Sequence, residues 1–297
     1  AKAVKAHLKK LEAKYKLLNE KEKQGFDIEQ LRNPYHDTRI LNGDPNLEVN
    51  KVLVGIDIDV GEILLADTLR GRGEKIDLVM SHHPCGKAYA NFYEVMYMQV
   101  DILNNVGIPV NIAESLTAER MREVERRVVA LNHTRAVDAA VILNLPFICV
   151  HTPADNFVAL YLQSLFDKKQ PENLKGIIDI LMEIQEYRES KALNRPPKIL
   201  IGSEGNRTGK IFVDMTGGTE GAKELLDKME IAGIGTLVCM HLSEEHFKKA
   251  KDNHLNVIIA GHISSDTLGL NLLLDEVAKR ESFEIVCCSG FRRVKRK

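Results

Sequence analysis

Histidine and aspartate residues recur directly after three short apolar segments of this chain. They belong to the motifs Ser81-His82-His83-Pro84, His151-Thr152-Pro153-Ala154-Asp155 and Gly261-His262-Ile263-Ser264-Ser265-Asp266. Each motif follows a run of apolar residues that is typical of a buried parallel strand. Because residues just past the carboxyl ends of parallel strands gather in one crevice, we expect the three motifs to meet there. Imidazole together with carboxylate is a ligand set that suits divalent transition metals.

The sequence therefore predicts a metal site, and this mixture of ligands favours two divalent ions. A carboxylate can bridge two cations about 3.5–4 Å apart, which then activate a shared water molecule. The expected ligands are His82, His83, Asp155, His262 and Asp266, with the two aspartates as bridges. His151 is expected to transfer protons, and ligation or a hydrogen bond to a ligand are the alternatives. Zn, Fe, Mn, Ni and Co all suit such ligands, so the ligand types do not select one ion.

The two aspartates of the motifs have an alternative explanation as helix caps. Thr152 and Asp155, on either side of a proline, fit the start of a helix with a capping-box-like pattern. One of the two serines at 264 and 265 could cap the next helix, with Asp266 near its positive end. Capping would leave the histidines at the strand ends unexplained, which favours the metal site.

Strands and helices alternate from Lys51 onward, which predicts an α/β fold. We expect two lobes of mostly parallel sheet flanked by helices, residues 51–190 and 191–297. The C-terminal strands of the second lobe would complete the crevice in which the three motifs meet. Residues 1–50 are expected to lie outside both lobes, as an amphipathic helix over 1–24 and an extended connection over 25–50.

Several local features are also predicted. Apolar residues predict a short strand over Ile108–Ile112, followed by a long helical stretch over Ser115–Leu143. A Gly-rich turn between Lys198–Ile201 and Lys210–Met215 predicts a hairpin. The basic residues 292–297 are expected to form a solvated tail.

Weaker candidates lie near the main motifs. Asp57 and Asp59 follow a strand and either point into the crevice or cap a turn. His241 ends a strand and could line the crevice, although a surface position is favoured. The turn at Gly217 and Gly218 joins a strand to a helix and could present backbone N–H groups to the anionic end of a substrate.

Composition narrows the class of partner. A formal net charge of -1 gives no long-range field that would attract nucleic acid or an anionic membrane, so neither partner is expected. Five cysteines without framework spacing indicate reduced thiols and a cytoplasmic location. The chain shows no secretory signal and no apolar run of the roughly 20 residues that span a bilayer.

The three motifs, in this order, resemble the NGG-interacting-factor-three-like family of dinuclear-metal proteins. The similarity covers Lys51 to about Gly290, and residues 1–50 are outside it. The resemblance implies a two-lobed α/β fold with paired metals between the lobes, and ring-like homo-oligomers, commonly hexamers built from dimers. Some members are described as GTP cyclohydrolases. The family usually has glutamate where this chain has Asp266, and the shorter side chain is expected to alter the bridging geometry or the choice of metal.

Two functions are consistent with these observations. The first is a metal-dependent hydrolase of a small nucleotide-like or phosphorylated substrate, with two divalent ions as cofactors. The second is a regulatory or scaffold protein that metal ions stabilise, without turnover.

Overall fold

The protein contains two β-sheets, and the structure, a computed structural model, describes residues 2–296. The first sheet has the spatial order β1-β4-β3-β2-β9. Its strands are β1 (Arg39–Asn42), β2 (Lys51–Gly55), β3 (Leu78–Ser81), β4 (Phe147–Cys149) and β9 (Glu284–Cys287). The second sheet has the order β5-β8-β7-β6. Its strands are β5 (Lys198–Ile201), β6 (Lys210–Asp214), β7 (Ile234–Cys239) and β8 (Asn256–Ile259).

Both sheets are mostly parallel, as the alternation of strands and helices predicted. In the first sheet β2 pairs in parallel with β3 and β9, and β3 pairs in parallel with β4. In the second sheet β6, β7 and β8 are parallel neighbours. One edge strand of each sheet, β1 or β5, is antiparallel. We call each sheet with its flanking helices the first and the second lobe.

The helices flank these sheets. In chain order they are α1 (Lys2–Leu17), α2 (Glu20–Gln24), α3 (Val60–Gly71), α4 (Gly86–Ala90), α5 (Met98–Asn105), α6 (Val110–Val128), α7 (Arg135–Ile142), α8 (Thr152–Lys169), α9 (Leu174–Met182), α10 (Gln185–Ala192), α11 (Leu225–Ile231), α12 (Glu244–Asp252) and α13 (His262–Ala278). Two 3-10 helices cover Ile28–Leu31 and Phe92–Tyr97.

Helices α8 and α13 pack against each other and contribute to the cores of both lobes. Ala154 and Leu274 belong to a buried cluster with β2 of the first sheet, whereas Phe166 and Leu268 belong to a cluster with the second sheet. The two helices approach closely at Gly269, where an added Cβ atom would lie 2.4 Å from the carbonyl oxygen of Ala154. Only glycine permits this approach, so Gly269 determines how closely the first turns of α8 and α13 can pack.

Two local predictions are wrong. No strand forms over Ile108–Ile112 in the described chain, because α6 begins at Val110 after Pro109, and the helical stretch over 115–143 is divided between α6 and α7. Ile108 and Ala113 instead pack in the core of the second lobe. The predicted hairpin is also wrong, since β5 and β6 lie at opposite edges of their sheet and β5 pairs with β8.

The N-terminal segment is more closely joined to the first lobe than the sequence suggested. The helix expected over 1–24 is divided at Asn19, which caps α2 with a capping box to Glu22, and Ala1 lies outside the described residues. The connection expected to be extended contains the 3-10 helix at 28–31 and β1. Because β1 pairs with β4, this segment completes one edge of the first sheet.

Sheet membership therefore differs from the predicted division at 51–190 and 191–297. Both β1 and β9 lie outside the first of these ranges but belong to the first sheet. The tail after β9 is docked instead of solvated: Phe291 is fully buried, and Arg293 and Arg296 pair with Asp275 and Glu186. Lys297 of the expected tail lies outside the described residues. The existence of two separately folding domains stays a prediction.

Within residues 2–296, no helix has both the length and the apolar character that crossing a membrane requires. The five cysteines are free thiols, in agreement with the expectation of reduced cysteines.

Candidate metal centre

The three histidine motifs meet at the carboxyl ends of strands from both sheets. His82 and His83 directly follow β3, and His151 follows β4. The last motif follows β8 of the other sheet, where Gly261 adopts φ +107 and turns the chain into α13 at His262. Because both lobes contribute a motif, the site lies between them, as the family resemblance implied.

Asp155 and Asp266 lie in the first turns of α8 and α13, and the close packing of these helices brings them together. Asp155 directly follows Ala154, the residue whose carbonyl approaches Gly269, and Asp266 lies one turn before that glycine. Both aspartates are buried, with exposed fractions of 5% and 1%.

Asp266 is the central residue of the site. One of its oxygens lies 3.5 Å from His82 Nε2. The other oxygen lies 3.4 Å from His83 Nε2 and 3.6 Å from His262 Nε2. Asp155 contacts His82 Nε2 at 3.3 Å and His151 Nε2 at 3.6 Å. Asp266 and Asp155 thus each lie close to the Nε2 atoms of at least two histidines.

Three of the histidines direct Nε2 into the site, because Nδ1 is hydrogen-bonded on the other side of the ring. His82 Nδ1 donates to the carbonyl of Val150 at 3.1 Å. His83 Nδ1 lies 2.7 Å from Asp57 Oδ1, and His151 Nδ1 lies 2.8 Å from Asp37 Oδ2. These acceptors hold the proton on Nδ1 and leave the lone pair of Nε2 free, which is the usual arrangement around a metal-binding histidine.

The buried polar atoms of this cluster lack partners. His82 Nε2, Asp155 Oδ1 and both carboxylate oxygens of Asp266 are buried without a hydrogen bond in the described chain. Such atoms are rare in native proteins, because leaving them unpaired costs free energy. Three overlapping sets of ligand atoms lie close enough to hold an ion: His82-His83-His151, His83-His262-Asp266 and His82-Asp155-Asp266. The residues therefore fit divalent metal ions.

Charge coupling within the cluster is strong. Burial would lower the pKa of His82, but Asp266 and Asp155 outweigh burial and raise it well above its usual value. Burial would also lower the pKa of His83, but its contacts with Asp266 and Asp57 raise it to about 9. Burial would raise the pKa of Asp266, but His82 and His83 hold it far below its usual value. These shifts follow from opposite charges held close together in a buried site.

The capping explanation does not apply to Asp155 or Asp266. The N-caps of α8 and α13 are His151 and Gly261, and neither makes a side-chain capping bond. Thr152 instead donates its hydroxyl to Asp37 at 2.6 Å. Capping does explain Asp59, which begins α3 with a capping box to Glu62.

The serines expected as caps of α13 do not cap it either. The hydroxyl groups of Ser264 and Ser265 donate to the carbonyl oxygen of Gly261, and Ser265 is also hydrogen-bonded to Tyr187. Both serines therefore fix the turn that precedes Asp266.

Comparison with solved structures supports the family that the motifs resemble. A NIF3 superfamily protein from Sphaerobacter thermophilus superimposes with a TM-score of 0.74 at 26% sequence identity, over 86% of this chain and 91% of that one. This similarity supports the NIF3-like family that the three motifs resemble. Reduced HcgD from Methanocaldococcus jannaschii shares the fold alone, with a TM-score of 0.54 at 14% identity over 84% of this chain and 87% of that one. Comparison with protein-family models and with curated protein sequences gives no match.

The most important residue that the sequence did not indicate in this NIF3-like chain is Asp37. It is fully buried and accepts hydrogen bonds from both His151 and Thr152. Burial opposes its ionisation, but these hydrogen bonds and the charge of His151 lower its pKa. Asp37 thus orients the ring of His151 from the segment before the first predicted lobe.

A cleft of about 870 Å³ opens onto the cluster. His83, His151, His262, Asp155 and Asp266 all line it. His241, for which a surface position was favoured, also lines it, and its ring lies 4.9 Å from that of His262. Glu220 raises the pKa of His241 through a contact of 3.2 Å.

The Gly217-Gly218 turn is tightly packed against the segment from 92 to 99. Both glycines have positive φ, and an added Cβ atom would lie 2.7 Å from Gln99 at Gly217 and 2.9 Å from Val95 at Gly218. Gln99 also donates to the carbonyl oxygen of Gly217 at 2.8 Å. Of the two glycines, only Gly218 lines the cleft. Packing therefore accounts for both glycines without a ligand.

Proposed function

We propose that this protein is a metal-dependent hydrolase of a small nucleotide-like or phosphorylated substrate. The observation that supports this proposal most is the set of unpaired ligand atoms, including His82 Nε2 and both oxygens of Asp266, beside a cleft of about 870 Å³. A buried site that held no ion would leave these atoms without partners, which proteins rarely tolerate.

Two divalent ions, of Zn, Fe, Mn, Ni or Co, are the proposed cofactors. The proposed ligands are His82, His83, Asp155, His262 and Asp266, with the aspartates as bridges. Such ions supply Lewis acidity and lower the pKa of water to near neutrality. The shorter side chain of Asp266 is compatible with bridging, because its two oxygens face different histidines.

His151 is the proposed group for proton transfer. Asp37 holds the proton on Nδ1, so that Nε2 is free to accept a proton at the side that faces Asp155. His151 also lines the cleft, where a substrate would reach it. The alternative role is ligation, because Nε2 of His151 also belongs to a set of atoms that could hold an ion.

The cleft is the proposed substrate site. The turn at Gly217 and Gly218 is the proposed contact for an anionic end of the substrate, and Gly218 lies at the cleft surface. A homo-oligomer, with a hexameric ring as the family resemblance implies, and a cytoplasmic location both stay predictions.

A second function is supported by the origin of the ligands. His82 and His83 come from the first sheet, whereas His262 follows a strand of the second sheet. Bound ions would therefore hold the lobes together, as expected of a metal-stabilised regulatory or scaffold protein without turnover.

Metal content per chain, measured by elemental mass spectrometry, tests the site. We expect about two ions in the wild type, fewer in Asp266→Ala, and no change in Asp252→Ala, which removes an exposed carboxylate outside the cleft. Full metal content in Asp266→Ala would refute the ligand assignment.

Turnover separates the two functions. Metal-loaded protein is assayed with a panel of nucleotides and phosphoesters, before and after dialysis against a chelator. Hydrolysis that chelation abolishes while the fold persists supports the hydrolase. A melting temperature that depends strongly on metal, with no turnover of any panel member, supports the scaffold function instead.

A further inference from the structure

The wall of the cleft in the second lobe contains a carboxylate without a partner. Asp214 is the last residue of β6 and lies beside Cys239 of β7 in the sheet register. Its side chain makes no hydrogen bond or ion pair with any other residue between 2 and 296, although it lines the cleft. Burial and the nearby charge of Glu220 raise the pKa of Asp214 to about 6.

Glu220, the neighbouring acid, is held in place by the protein. It accepts a hydrogen bond from the backbone N–H of Ser243 at 2.8 Å, and its two oxygens lie 3.2 Å from His241 and 3.5 Å from His246. Burial opposes its ionisation, but these contacts lower the pKa of Glu220, so it stays charged. Asp214 is thus placed beside a fixed negative charge, which the nearby imidazole of His241 offsets only in part.

The cleft has more carboxylates than permanently cationic side chains. Six carboxylates line it, at positions 57, 59, 155, 214, 220 and 266, against a single guanidinium, that of Arg135. Arg135 is already paired with Asp59 at 3.1 Å. No lysine is present among the described residues of the lining. Bound metals would offset the charge of Asp155 and Asp266, whereas Asp214 belongs to none of the sets of atoms that could hold an ion.

Apolar side chains also line the part of the cleft that the second lobe contributes. They include Phe212, Leu225, Met229, Met240 and Leu242. Flexible methionine side chains beside aromatic and leucine side chains suit a flat or ring-shaped ligand body. His241 connects this region to the metal cluster, since its ring contacts that of His262.

We infer that the Asp214–Glu220 pair binds a cationic nitrogen group, such as an amidinium or a protonated amino-substituted nitrogen heterocycle, carried on an apolar ring. The ligand would supply the donors that Asp214 lacks, while its ring packs on the apolar wall. A carboxylate or phosphate placed there would instead face two acids whose neighbouring imidazoles, those of His241 and His246, are already in contact with Glu220. Describing this ligand as the substrate rests on the proposed hydrolase function. Within that function, the pair selects the nitrogen-rich end of a nucleotide-like molecule and holds it away from the metals.

Two isosteric probes test the inference without knowledge of the substrate. Benzamidine is a cationic aromatic amidine, and benzamide has the same ring and nearly the same shape but no charge. Their dissociation constants are measured by calorimetry on metal-loaded wild type, on Asp214→Asn and on Asp252→Asn. The last variant removes an exposed charge outside the cleft as a matched control.

We expect wild type and Asp252→Asn to bind benzamidine about tenfold more tightly than benzamide, as a charge-assisted hydrogen bond implies. This preference should disappear in Asp214→Asn. A missing preference in the wild type, including failure to bind either probe, would overturn the inference. A preference that survives in Asp214→Asn would overturn it as well, because the cation would then bind to other acids.

Metal content measured on the same samples separates this inference from the proposed function. A preference that depends on Asp214 in protein that binds no metal would support the nitrogen site and refute the metal-dependent hydrolase. Metal binding and turnover without a preference for benzamidine would support the metal-dependent hydrolase and refute the nitrogen site.

Discussion

Replacement of Asp214 by asparagine is expected to stabilise the protein at neutral pH. The substitution keeps the shape of the side chain and removes a charge that burial and Glu220 disfavour and that His241 offsets only in part. The pKa of about 6, compared with 3.8 for an ordinary aspartate, means that ionisation of Asp214 opposes folding. At about 1.36 kcal/mol for each tenfold change in proton affinity, the full difference is about 3 kcal/mol. Because Asp214 is partly exposed, solvent screening reduces the expected gain to about 1–2 kcal/mol.

The gain must depend on pH in a defined direction. Above pH 6 the carboxylate is ionised in both the folded and the unfolded state, so the wild type bears the full cost. Between pH 6 and about 4 the folded state keeps a proton that the unfolded chain has released, and wild-type stability therefore rises relative to the variant as the pH falls. Near pH 4 the two proteins should be equally stable, because Asp214 is then neutral in the folded state and is becoming neutral in the unfolded chain.

Urea unfolding of wild type and Asp214→Asn at several values between pH 4.5 and 8 measures this difference. Asp252→Asn serves as the control, with an expected change within about 0.5 kcal/mol and no trend between pH 5 and 8. If Asp214→Asn were less stable than the wild type at pH 7.5, or if its gain were the same at pH 4.5, the account of an incompletely compensated carboxylate would be refuted.

Three further predictions concern the metal centre. Gly269→Ala should lower the free energy of unfolding by about 1–3 kcal/mol and reduce metal content, because the new Cβ atom separates α8 from α13. Urea unfolding and elemental analysis measure the two effects. Gly61→Ala is the control and should change neither quantity, because its Cβ atom meets no neighbour. Asp37→Asn should lower the hydrolysis rate at least about tenfold with metal content unchanged, and a loss of metal instead would make His151 a ligand. Removal of metal by a chelator should lower the melting temperature. The loss of stability should be about 2.7 kcal/mol if free metal had been present at 100 times its dissociation constant. An unchanged melting curve would contradict a metal site shared between the lobes.

The sequence was informative where chemistry follows directly from local pattern. The apolar runs before His82, His151 and His262 form strands, and the residues after these strands meet in one crevice. The mostly parallel α/β architecture was predicted from the alternation of strands and helices. Both signals are local, since each needs only a strand and the residues that follow it. The gathering of these motifs then depends on a general rule for parallel sheets.

The failures concern partners that are distant along the chain. The hairpin was predicted because β5 and β6 are adjacent in sequence, but β5 pairs with β8, and no local pattern distinguishes the two pairings. Asp37 lies 114 residues from His151, so nothing near it in the sequence marks it as the partner of that histidine. The run at Ile108–Ile112 is short and apolar, which fits a strand or the buried start of a helix equally well.

The order of strands in the first sheet also has a consequence for protein synthesis. The second sheet uses residues 198–259 alone, so it can close before the ribosome has made the rest of the chain. The first sheet begins with β1 and β2 but needs β9, at 284–287, to cover the open edge of β2. Until then β2 presents unpaired backbone groups, which are a site for intermolecular pairing. The nascent first lobe should therefore be the part of this protein that depends most on chaperones.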